Sequence, residues 1–288
     1  MSPSINAHLL EALNAASIQL NRYFSLFIFI FGFTGNILNI LVLTERSLHS
    51  NRCVFLFLMS SITNLISIIL GLIPRILSSW QIDFIETNDI FFCKLRAFIT
   101  FTSRTVELDL IMLATCERWI MSSRIVTIIS IAIYLQMLYC YKANLINTPL
   151  KCYGKTTACR LLTDIIYSCF TISFPLIPMA VLGVLTLSNI RKRRSSTKTT
   201  MEKIDRYLRR MLLLQVISLI LLIFPQAIHK VYFTMSSNKN KSQMQYDFDR
   251  FLYNFELLLP FIESALPFYI YTLAGGKVFR NALEKLLF

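Results

Sequence analysis

The sequence predicts an all-α integral membrane protein that crosses the bilayer seven times. Three observations carry that expectation. Apolar residues make up 55% of the 288-residue chain and charged residues 16%, at a mean hydropathy of +0.57; a soluble domain carries about a quarter charged residues. Apolar runs of membrane-spanning length recur along the chain. The basic residues gather on one set of connecting loops. The chain has neither the charged surface to solvate a large globular domain nor Gly/Pro-rich seams between two small ones.

A helix needs about 20 mostly apolar residues to cross the hydrocarbon core. Phe24–Leu43 is the first such run and Val54–Pro74 the second. Ile125–Tyr141, Ile165–Ile190 and Met211–Ile228 follow, and Phe251–Ala274 closes the set. Ala97–Cys116 has the length but carries Arg104, Glu107 and Asp109. Each such charge costs about 2.5–3.5 kcal/mol on insertion scales, so hydropathy supports this span least. Met1–Arg22 lacks the basic, apolar and small-residue pattern of a cleavable leader, and the first span is expected to act as its own insertion signal. The longest polar segments are Asn144–Asp164, Arg191–Arg210 and Ser236–Arg250, none with room for a soluble catalytic domain.

With the N-terminus outside, the cytoplasmic side holds Arg46, Arg52, Arg118, Arg124, Lys277, Arg280, Lys285 and the stretch Arg191–Arg210. That is more than half of the 29 Lys and Arg residues. Basic residues stay on the cytoplasmic side, so the net charge of +13 is a topology signal. It does not point to nucleic acid, because no separate folded domain carries the Arg191–Arg194 run. Cys53 and Cys116 fall toward cytoplasmic helix ends, where thiols stay reduced. Cys93, Cys152 and Cys159 fall outside, where a disulfide is permitted. The spacings fit no zinc pattern and the three His are far apart, so no metal and no other cofactor is expected.

The third span carries a more specific signal. Cys93 opens it as Cys93-Lys94-Leu95, and Glu117-Arg118-Trp119 closes it. Gly35-Asn36 sits mid-way in the first span, Pro175 in the fifth, Pro225 in the sixth and Leu266-Pro267-Phe268-Tyr269-Ile270-Tyr271 in the seventh. In these marks the chain resembles a rhodopsin-like G-protein-coupled receptor over residues 23–288. The resemblance implies an extracellular segment 1–22, a seven-helix domain 23–276 and a short amphipathic cytoplasmic surface helix 277–288, all at the plasma membrane. It implies a disulfide from Cys93 to the second outer loop, with Cys159 preferred to Cys152 because it lies nearer the fifth helix. The chain also departs from the family. Asn64 stands where the second helix usually has Asp, Ile223 replaces the usual Trp before Pro225, and the fourth helix lacks its Trp. The second inner loop shrinks to about Met121–Arg124, which implies weakened coupling.

The activity that the resemblance implies is not enzymatic. An outside ligand shifts a two-state helix bundle through its differential affinity for the two states, and the inner face engages a heterotrimeric G protein. Glu117, Arg118, Asp205 and Tyr271 would form the coupling switch, with Asp205 facing Arg118 at rest. Thr100 stands where amine receptors place an Asp, and the seventh helix has no Lys before Lys277 for retinal. Both ligand classes are therefore disfavoured. A peptide is favoured, because Arg104, Gln226, His229 and Glu256 offer mixed charge in the outer half; His229 reads equally as an interfacial residue at a helix end.

Asn36, Asn64, Glu107 and Glu263 would form a polar core. The family holds a sodium ion there, and the carboxylate has moved from the second helix to Glu107 and Glu263. Two such carboxylates are expected to share a proton or hold a cation, the competing reading being a pair between Glu107 and Arg104. Asn240-Lys241-Ser242 is an N-glycosylation sequon, expected outside. Two other functions remain open: a secondary transporter or channel lined by Arg104, Glu107 and Glu263, or a seven-helix protein without G-protein output.

Overall fold

The computed structural model describes residues 3–45, 52–80, 90–116, 120–143, 145, 152–192, 200–236, 243–274, 279 and 283. Among them, nearly every residue is helical and one two-stranded hairpin is the only sheet. The helices are α1 (Pro3–Gln19), α2 (Ser25–Leu43), α3 (Arg52–Ser79), α4 (Ile90–Cys116), α5 (Ile120–Tyr134), α6 (Met137–Cys140), α7 (Thr157–Ile166), α8 (Phe174–Lys192), α9 (Thr200–Ser236), α10 (Gln243–Glu256), α11 (Leu259–Ala265) and α12 (Pro267–Ala274). Four stretches are long and apolar enough to cross a membrane: Glu11–Leu43, Cys53–Ser79, Thr157–Leu185 and Arg210–Tyr232. The apolar helix Arg124–Cys140 is shorter.

Helix α4 falls outside that set because of its charged residues, and its surroundings show how they are accommodated. Residues 102–114 are buried without a break, so the helix has no stripe left to face lipid. It packs against α3, α5, α8 and α9 and forms the central column. Its charges sit among protein groups, where an ionisable side chain at membrane depth is tolerated. The outer helices show the opposite pattern. Ile128, Ile177, Val184, Leu221 and Ile228 are large, apolar and exposed, a surface that suits hydrocarbon and not water.

Several helices outrun their apolar runs. The first is helical from Pro3, and a π-helical turn at Leu20–Phe24 joins α1 to α2. The segment expected to precede the first span is thus a helix, and α1 packs on α10. Helix α9 begins inside the basic segment Arg191–Arg210, and α10 begins within Ser236–Arg250. The last run is broken into three pieces. Leu257 and Leu258 form a turn before Pro260, and Leu266 ends α11 before Pro267. Proline has no N–H to donate and crowds the preceding turn. Most of the expected surface helix 277–288 lies outside the described residues; Phe279 is buried against Phe268 and Tyr271, with ring centroids 6.2 and 6.3 Å away.

The disulfide assignment needs correction. Cys93 pairs with Cys152, not Cys159, at a Cα separation of 5.8 Å. Cys159 pairs with Cys140 at 5.4 Å, both separations in the range a disulfide requires. The hairpin is the reason. Strands β1 (Tyr141–Lys142) and β2 (Tyr153–Gly154) pair with Lys142 opposite Tyr153, which brings Cys152 over the N-terminal end of α4. Cys159 lies in the first turn of α7, where Thr156 caps the helix by accepting from the Cys159 N–H at 3.2 Å. Cys140 had been read as part of an apolar span, so this partner was missed.

Close packing between α3 and α11 depends on Gly71. A methyl group on Gly71 would overlap the Phe261 ring. Gly71→Ala is expected to cost about 1–3 kcal/mol as an overpacked contact. Thermal unfolding of the purified chain in lipid nanodiscs measures it, with Gly183→Ala, where a Cβ meets nothing within 4 Å, as the tolerated control.

Candidate functional site

The polar groups of the interior lie in two tiers along α4. Thr100, Arg104 and Glu107 fall at helical spacing and share one face of that helix. In the deeper tier, the Ser264 hydroxyl donates to Glu107 at 3.2 Å. The Glu263 and Asn64 side chains also interact with Glu107. All four are buried, with Glu107, Asn64 and Ser264 fully so. Neither Glu263 oxygen has a hydrogen-bond partner, and neither does the Asn64 amide or the second Glu107 oxygen. The Asn36 amide donates to the Ser264 carbonyl at 2.9 Å, tying α2 to α11. Below, the Tyr271 hydroxyl donates to Gln215 Oε1 at 2.7 Å, linking α12 to α9.

Arg104 sits between the tiers. One of its nitrogens, Nη1, reaches Ser67 Oγ at 3.5 Å, and the guanidinium lies 5.1 Å from the centre of the Phe261 ring. Its charge acts on both Glu107 and Glu263. The competing readings for Glu107, a partner in Glu263 or in Arg104, therefore describe one cluster. The transverse tie is a hydroxyl network: Thr105 and Thr171 meet at 2.7 Å, and Tyr134 joins Thr171. Thr171 belongs to a π-helical turn, Tyr167–Ser173, between α7 and α8. Asp109, on another face of α4, accepts from Ser130 at 3.2 Å.

The outer tier contains groups that sequence reasoning missed. Lys230 and Asp164 form an ion pair at 3.1 Å with side chains only 5% and 3% exposed. The Lys230 ammonium lies 4.4 Å from the Tyr167 ring centre and 5.0 Å from that of Phe101. Gln226, one helical turn from Lys230, accepts from the Tyr167 hydroxyl at 3.2 Å. His229 Nδ1 meets Glu256 Oε2 at 2.6 Å, so Glu256 faces a partner and not loop water. Beyond them the Tyr253 hydroxyl donates to that of Tyr153 at 3.3 Å. Burial, then the negative charge of Asp164, pushes the Tyr153 hydroxyl up to about 12, so it stays protonated while it accepts from Tyr253.

The structure thus brings Arg104, Asn64, Glu107 and Glu263 together and places Gln226, His229 and Glu256 in the tier above. Glu117, Arg118 and Asn240 lie outside the described residues, and Asp205 is placed only as backbone of α9. A usable signal for Lys230 existed, since it follows Gln226 by one turn on the same face of α9. No family model matches this chain, and no curated protein matches it.

Proposed function

We propose that this chain is a seven-helix G-protein-coupled receptor of the plasma membrane, with its N-terminus outside and an extracellular ligand, peptide favoured. The observation that carries the reading is the buried polar column. It runs from Lys230 and Asp164 past Tyr167 to Arg104, Glu107 and Glu263, and on to Tyr271 and Gln215. Its links join different helices, so a ligand that moves one outer element forces the groups below to re-pair. A coupling free energy between two faces needs such an element with discrete arrangements. The two disulfides support the reading by holding the outer ends of α4, α6 and α7 under the hairpin. The test is G-protein activation in cells expressing the full chain, challenged with a peptide panel. Protease access to the Asn240 loop only from the cytoplasmic side would overturn the orientation.

A second reading is a secondary transporter or channel, favoured because Arg104, Glu107 and Glu263 do meet in one cluster. Uptake of a labelled solute, lost in Glu107→Gln without any G-protein response, would decide for it.

The receptor reading assigns the resting state to a contact between Arg118 and Asp205. A solvated pair of this kind contributes about 0–1 kcal/mol. Asp205→Asn should therefore raise ligand-free signalling by up to about fivefold, at unchanged surface expression. Unchanged basal signalling in a variant that still responds to ligand would remove the lock.

A further inference from the structure

The outer tier and Arg104 below it differ in what they leave unsatisfied. In the outer tier both carboxylates have cationic or imidazole partners, Asp164 in Lys230 and Glu256 in His229. Arg104 is 4% exposed and has the Tyr167 side chain as a polar neighbour, yet its Nε and Nη2 make no hydrogen bond. Those two nitrogens form the side-on edge of a guanidinium, the fork that matches the two oxygens of a carboxylate. The Thr100 hydroxyl, one turn outward on the same face of α4, is also without a partner. Lys230 lies against Phe101, beside Thr100 in sequence, so a second cation stands outward of Arg104. Unmade hydrogen bonds on a buried arginine are costly, and a shaped pair of free donors points to an acceptor that comes from elsewhere.

We propose that the outer chamber takes its ligand through a carboxylate group, gripped by the Nε–Nη2 edge of Arg104 with the Thr100 hydroxyl as a further donor. Lys230 meets the anion first, on the way in. The inference rests on reading this face as a ligand chamber, and it narrows the ligand to one bearing a free acid. The acid can be the C-terminus of a peptide or the head of a small organic acid, which share this chemistry. The internal competitors are Glu107 and Glu263, whose unpartnered oxygens lie on the inner side of Arg104. An entering carboxylate displaces their hold on the guanidinium, which couples the chamber to the middle of the column.

The test uses the full chain in lipid nanodiscs and needs no G protein, so its outcome is separate from that of the receptor reading. Thermal unfolding is followed against sodium benzoate, sodium octanoate and a short peptide with a free C-terminus. Benzamide, octanamide and the same peptide amidated are the matched neutral probes. At least one acid is expected to stabilise the chain saturably, with its amide about tenfold weaker or worse, the scale of one charge-assisted bidentate contact. Whether the peptide acid or the small acids respond identifies the source. Arg104→Gln should erase the preference. Arg104→Lys, which keeps the charge and loses the fork, should erase it too, and Thr100→Val should weaken acid binding several-fold in a fold that is left intact. Glu263→Gln should tighten acid binding by removing a competitor. Acids and amides acting alike, no shift with any probe, or an acid preference surviving in Arg104→Lys would each overturn the proposal.

Discussion

Replacing Lys230 by methionine is expected to destabilise the chain by about 3–5 kcal/mol, among the largest effects any single substitution here should have. The loss does not measure the attraction between Lys230 and Asp164. It measures the cost of leaving the Asp164 carboxylate, 3% exposed, without its ammonium. Asp164→Asn should cost a similar amount by stranding the ammonium between Phe101 and Tyr167. The double variant, Lys230→Met with Asp164→Asn, has no stranded charge and should recover most of the loss. Thermal unfolding of the three variants in nanodiscs checks this. A double variant as unstable as the sum of the two single ones would mean that packing, and not charge, governs the contact.

The carboxylates of the deeper tier should behave in the reverse order. Glu107 and Glu263 lie together, each influenced by the other and by Arg104. Two like charges held away from water do not both persist unless a proton or a cation joins them. Glutamine has the shape of the protonated acid, so Glu263→Gln or Glu107→Gln alone should cost about 1 kcal/mol or less, the scale of one neutral hydrogen bond. The double glutamine variant leaves Arg104 with no carboxylate beside it and should cost about 3–5 kcal/mol. Repeating the unfolding in sodium and in choline buffers separates the two ways of joining the pair. A sodium-dependent gain that disappears in either single variant identifies a bound cation, and no gain identifies a shared proton. Additive losses from the two single substitutions would sink the shared arrangement.

How much of this was legible in the sequence depended on whether the evidence was local. The apolar runs at Phe24–Leu43, Val54–Pro74 and Met211–Ile228 announce their helices because each needs only its own composition. Glu107 and Glu263 could be expected to meet because a charge in an apolar run must find company inside. Asp164 gave no such warning, and Lys230 gave only its one-turn spacing from Gln226. Lys230 stands just past an apolar run and Asp164 at the end of a polar one, where charges face water by default. Only the helical extension of α7 and α9 beyond those runs turns both side chains inward. Disulfide connectivity was illegible for a related reason. Cysteine spacing allows several pairings, and the choice was made by a hairpin of four residues with no strong strand signal.

The π-helical turn at Tyr167–Ser173 sets the phase between the two halves of one long helix. The Phe174 N–H donates to the carbonyl five residues back, that of Cys169, a spacing that holds one residue more than an α-turn. Below it, α8 presents Met179 to the core; above it, α7 presents Asp164 to Lys230. Each residue of an α-helix turns the chain by about 100°. Deleting one residue from this turn would therefore swing Asp164 away from Lys230 while leaving α8 in place. Insertions and deletions here act as a dial, re-aiming α7 without disturbing the packing of α8.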